Sequence, residues 1–132
     1  MRSFLFLFCV FFFSLASISH PITDTKKYSD IDAHAPTPLP DRVVLTWNDD
    51  PATTQAVSWR TDLSVKTGLA QIAIANSNGR ALKPDEFKAE TSYFKSDINE
   101  AHYHSVTFKN LKPSTLYAYR VGDGVNWTEY YH

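Results

Sequence analysis

Gln55-Ala-Val-Ser-Trp-Arg60 alternates so that Val57 and Trp59 fall on one face of an extended chain, with Ser58 and Arg60 on the other. That two-residue period describes a strand packed on one side only. Working outward, Arg42 to Trp47 is rich in β-branched and aromatic residues and stops at the turn Asn48-Asp49-Asp50-Pro51. Leu69 to Ala75 turns Ile72 and Ile74 inward, and Asn78-Gly79 then supplies a hairpin signal. Phe87 to Phe94 reads as one short edge strand. His102 to Lys109 places Val106 and Phe108 together, and Leu116 to Val121 aligns Tyr117, Tyr119 and Val121. A last strand starts near Val125 and is cut short at His132. Nothing sustains a helical period, although Lys83 to Phe87 has room for one turn.

Six or seven short strands divided by turn signals predict an all-β, two-sheet antiparallel sandwich. Trp59, Trp47, Ile72, Ile74, Phe108 and Tyr119 are its expected core. At about 1.5–3 kcal/mol for each fully buried large side chain, such a set folds a module without disulfides and leaves little interior for a catalytic centre.

The segments before this module have a different character. Six of the nine Phe lie in the first 13 residues, within an uncharged run from Ser3 to Ile18 that follows Arg2. Small residues at Ser14, Ala16, Ser17 and Ser19 suit signal peptidase, so residues 1–19 are expected to be a cleaved export signal. The run is shorter than the ~20 residues a bilayer span requires. Residues 20–40 hold four of the seven Pro and read as an extended linker, in which Asp30, Asp32 and His34 are solvated. The sandwich is expected over 41–132, in a secreted or periplasmic protein with no membrane contact after cleavage.

Removing the signal discards the only Cys, Cys9, which excludes disulfides, Cys-based zinc sites and thiol nucleophiles. It also discards one of 13 basic residues and none of 14 acidic ones, so the module has no basic footprint for nucleic acid. Ser58 and Ser105 are strand-face residues, and no Gly-x-Ser-x-Gly elbow surrounds a serine. His102 and His104 share a strand face, yet two ligands are fewer than zinc needs; a structural role is expected. Trp127, Tyr130 and Tyr131 form an aromatic cluster suited to packing on a following domain or to stacking on sugars. Asn126-Trp-Thr128 is an N-glycosylation pattern.

Leu111-Lys-Pro113-Ser-Thr-Leu-Tyr117 sets a turn-forming Pro before a Tyr just inside a strand. There the ring packs on the core while the hydroxyl serves backbone groups at the corner. Leu111, Pro113, Tyr117 and Trp59 are therefore taken as structural residues.

Together these stretches resemble a fibronectin type III-like module and, more narrowly, the N-terminal domain of purple acid phosphatases. The resemblance is carried by Pro40-Asp-Arg-Val-Val-Leu-Thr-Trp47, Asp50 to Thr61 with its Val-Ser-Trp-Arg-Thr, His104 to Pro113, Tyr117-Ala-Tyr-Arg-Val-Gly122 and Asp123-Gly-Val-Asn-Trp-Thr128. It implies that chemistry belongs to a second, C-terminal metallophosphoesterase domain. There Asp, Tyr, Asn and His ligands would hold two metals from among iron, zinc and manganese, about 3.5–4 Å apart. Gly-Asp and Gly-Asn-His motifs mark that domain. This chain has no Gly-Asn-His, and Gly122-Asp123 falls in the sandwich's final turn. The resemblance thus implies no catalytic residue, metal ligand or cofactor here, and a histidine that hydrogen-bonds at a sheet edge. The other reading of the residues is a stand-alone exported binding or adhesion module that contacts carbohydrate.

Overall fold

The computed structural model describes residue 29, residues 33–76 and residues 82–132. The export signal, most of the linker including Asp30 and Asp32, and the Asn78-Gly79 turn lie outside the described residues. Seven strands follow in chain order: β1 (Asp41–Thr46), β2 (Gln55–Thr61), β3 (Leu69–Ile74), β4 (Asp85–Lys88), β5 (Glu90–Lys95), β6 (Glu100–Phe108) and β7 (Tyr117–Gly122). They form two antiparallel sheets, ordered β1-β2-β6-β5 and β4-β3-β7. This is the β-sandwich that the alternation predicts.

Its core lies between the sheets, where Val57, Trp59, Val106 and Phe108 of one meet Ala70, Ile72, Tyr119 and Val121 of the other. The Phe87 ring meets Phe108 edge-on, with centroids 5.4 Å apart, an arrangement aromatic quadrupoles favour. Arg60 points to the outer face and is nevertheless buried. Its Nε donates to Asp41 Oδ1 at 2.8 Å, its Nη2 to Asp41 Oδ2, and the same Nη2 to the His34 carbonyl at 3.1 Å. With the Asp62 amide donating to the Thr37 carbonyl at 2.9 Å, these bonds tie the segment before β1 onto the sandwich.

Three expectations are corrected. The stretch from Phe87 to Phe94 is two strands: β4 pairs with β3 in one sheet, and β5 pairs with β6 in the other. The chain changes sheets at buried Ala89, whose amide donates to the Gly68 carbonyl at 2.9 Å. The same strand occupies the place of the helical turn expected over Lys83 to Phe87. Trp47 is 70% exposed and Ile74 51%, so neither belongs to the core. Trp47 follows the last residue of an edge strand, and Ile74 is the last residue of β3.

From Val125 the chain turns back along β7 without forming a continuous strand. It makes two isolated bridges, Gly122 to Trp127 and Tyr119 to Tyr131. Tyr119 and Tyr131 exchange both amide bonds, at 2.9 and 2.8 Å.

Candidate functional site

The strand register divides the sandwich into two ends. β2 finishes, β3 starts and β7 finishes at one end; β2 starts, β3 and β6 finish and β7 starts at the other.

The first end is filled by a polar knot around His104, which is 1% exposed. β6 is an inner strand between β2 and β5, so this histidine sits inside the sandwich and not at a sheet edge. Nε2 lies 2.8 Å from the Thr61 hydroxyl, and Nδ1 lies 2.9 Å from the Thr91 hydroxyl. Thr61 gives its own hydrogen to the Asp62 carbonyl at 3.1 Å. It therefore accepts from Nε2–H, and in the neutral ring Nδ1 accepts from Thr91. Burial, reinforced by the neighbouring His102, pushes the His104 pKa down to about 4.

The Trp59 ring lies 5.3 Å from the His104 ring, tilted by 30°. Gly68 closes the knot, because a Cβ there would sit 2.7 Å from both His104 Nδ1 and Trp59 Cζ2. The indole N–H of Trp59 is buried with no hydrogen-bond partner among the described residues, and nothing in the structure explains it. His102 donates from Nδ1 to the Val65 carbonyl at 2.8 Å. Both histidines thus make hydrogen bonds inside the fold. The sequence carries no local sign of the Thr61, Gly68 and Thr91 contacts, since pairing of β2 and β5 with β6 brings up the threonines and packing of the two sheets brings up Gly68.

Nearby, Asp123 is engaged by its own turn. Oδ1 accepts from the Val125 amide at 2.8 Å and the Asn126 amide at 2.6 Å, and Oδ2 accepts from Asn126 Nδ2 at 3.1 Å. Burial opposes its charge, but the bonds from Asn126 and Val125 outweigh that and hold the carboxyl below its usual range. Gly124 adopts a φ of 97°, the left-handed region that glycine enters freely. The side-chain amide of Asn126 is thereby used within the turn. Among the described residues, no three His, Cys, Asp or Glu side chains are grouped to hold a metal ion.

On the outer face of the smaller sheet, the Arg120 guanidinium lies 4.5 Å from the Trp127 ring centroid and 4.8 Å from that of Tyr130. Its Nε donates to Gln71 Oε1 at 2.8 Å. Tyr131 stacks on Tyr119 with centroids 5.3 Å apart. All three rings of the aromatic cluster therefore pack within the module itself.

The second end is open. Tyr117 accepts the Lys112 amide at 2.9 Å on its hydroxyl, and the Leu111 amide donates to the Thr53 carbonyl at 2.9 Å. Leu111 and Tyr117 pack against the core, and Pro113 is exposed in the turn. Ser114 turns the corner with a φ of 53°. Between these loops lies a groove of about 240 Å³ that reaches down to Ile72, Phe108 and Tyr119. Leu116, 65% exposed, and Leu45, 44% exposed, stand at its rim.

The family model described as the purple acid phosphatase N-terminal domain matches residues 40–132, which include all seven strands. No curated protein matches the chain.

Proposed function

Since the chain belongs to the purple acid phosphatase N-terminal domain family, we propose that it is the non-catalytic sandwich of an exported metallophosphoesterase. The parent would hydrolyse phosphate monoesters at a dinuclear centre carried on a separate domain. Such a centre uses two metals to polarise the phosphoryl group and to supply the attacking hydroxide.

The residues of this sandwich do not fit such a centre. Both ring nitrogens of His104 are bonded to threonines, His102 Nδ1 is bonded to a carbonyl, and Asp123 is consumed by its turn. The observation that carries the reading is that the family match, over residues 40–132, takes in all seven strands. Among the described residues, its interior is filled by side chains such as Trp59, Phe108 and His104. Export is supported by the uncharged, Phe-rich run behind Arg2. The carbohydrate-binding alternative is disfavoured by Trp127 and Tyr130, whose rings already stack on Arg120.

Reading the gene past the codon for His132 tests the proposal. A continuing frame with Gly-Asp and Gly-Asn-His motifs at strand ends is expected. A stop codon there, in a transcript that yields a stable folded product, would favour a stand-alone module.

A further inference from the structure

We infer that the outer face of the larger sheet carries a small-molecule site anchored by Arg42, and that its ligand is a flat ring bearing one carboxylate.

A bulge in β1 aims the anchor. Asp41 pairs with Arg60 and Val44 with Ser58, so β1 holds one residue more than β2 between those pairs. Asp41 meets Arg60 on the outer face. Strict alternation from there would turn Arg42 towards the facing sheet and Val43 away from it. The extra residue reverses this. Val43 packs against the core, and Arg42 is exposed and lines a cavity with Arg60 and Tyr103. Bulges re-aim side chains in this way.

Arg42 reaches that position with a φ of 50°, a left-handed conformation that strains a residue carrying a Cβ. Its guanidinium gains nothing within the fold in return. The ion pairs among the described residues are Arg60 with Asp41 and Lys95 with Glu100, and Arg42 has no side-chain hydrogen bond among them. A strained backbone that presents an unpaired cation to a cavity points to a ligand there.

The cavity suits a small ring. It holds about 310 Å³, within the ~300–1,000 Å³ of small-molecule sites. Phe94 and Tyr103, both exposed, form one wall, with ring centroids 5.8 Å apart and planes at 87°. This corner offers a flat guest both a face and an edge.

Charge narrows the guest. Asp41 neutralises Arg60, which leaves Arg42 and Asp97 as the unpaired charges of the lining. A guanidinium fork takes both oxygens of a planar carboxylate. Asp97 stands on the β5–β6 turn, which Ser96 fastens by accepting the Ile98 and Asn99 amides on its hydroxyl at 3.2 and 3.0 Å. From there it accepts a hydrogen bond from a ring hydroxyl and repels a second negative charge, so a monocarboxylate is preferred over a phosphate ester.

The test titrates the isotope-labelled 132-residue chain with para-hydroxybenzoate and follows its proton–nitrogen correlation spectrum. Saturable shifts confined to Arg42 and the residues around the cavity are expected, with a Kd of about 1 mM. Phenol, which lacks the carboxylate, and the Arg42→Gln variant should each bind about tenfold more weakly or worse, the worth of a charged hydrogen bond. Phenyl phosphate should bind more weakly than the carboxylate, and Asp97→Asn should narrow that preference. Arg42→Gly suits the left-handed backbone, so it should keep the wild-type melting temperature while losing the shifts. That separates a lost anchor from a lost fold. Equal binding by Arg42→Gly, or shifts that scatter over the surface without saturating, overturns the site. Phenol or phenyl phosphate binding as tightly as para-hydroxybenzoate overturns the ligand class. Should Arg42→Gln fail to fold, Arg42→Gly decides by the same criterion.

Discussion

At one end of this sandwich a histidine, a tryptophan and two threonines close the gap between the sheets so tightly that only glycine fits at position 68. At the other end Tyr117 and leucines line a groove that reaches the core. The same strands run through both ends, so the contrast lies in what each end is for. The closed end gives both ring nitrogens of His104 threonine partners within the fold. The open end leaves apolar surface uncovered, which an isolated module would gain stability by hiding.

The contrast predicts a gradient of mutational cost. Trp59→Ala should be the most damaging change, at about 3–5 kcal/mol, read from denaturant midpoints of the 132-residue chain. A loss below about 1 kcal/mol would show that the closed end is not the stabilising one.

Next comes pH. An unfolded chain's imidazole takes up its proton near pH 6.5, whereas buried His104 does so near 4. Between those values the unfolded state binds more protons, so stability is full above about 6.5 and falls as pH drops towards 4. At about 1.4 kcal/mol per tenfold change in proton affinity, the loss reaches at most about 3 kcal/mol. Urea titrations at several pH values should show that slope. His104→Gln should flatten it, and an unchanged slope in the variant would assign the titration elsewhere.

Gly68→Ala places a methyl against His104 and Trp59 and should cost about 1–3 kcal/mol through overpacking. Retained stability would show that the knot can relax. At the open end, Tyr117→Phe deprives the Lys112 amide of its acceptor. The expected cost is about 1 kcal/mol, the usual net value of one hydrogen bond. If Tyr117→Phe proved costlier than Gly68→Ala, the ranking of the two ends would be reversed.

What was legible in the sequence was local. Alternation in Gln55 to Arg60 assigned Val57 and Trp59 to the core, and the two-sheet antiparallel architecture followed from strand spacing. Features that depend on where a strand ends relative to the opposite sheet were not legible. Ile74 keeps the inward phase of Ile72 but lies at the strand's last position, so it is exposed. Trp47 continues the apolar pattern of β1 one residue beyond its end, in the same way. The sheet change at Ala89 is invisible because the residues on both sides of it favour extended chain. The His104 knot is nonlocal in a stricter sense. Thr61 and Thr91 lie 43 and 13 residues from it in sequence, and nothing in either threonine's surroundings announces the pairing.

The central claim is that this sandwich carries no phosphatase chemistry of its own. The most direct test incubates the purified 132-residue chain with an aryl phosphate and iron, zinc or manganese in turn, across acid to neutral pH. No turnover above the metal-only control is predicted. Metal-dependent hydrolysis that saturates with substrate and is abolished in an Asp123→Asn or His102→Gln variant would contradict the account.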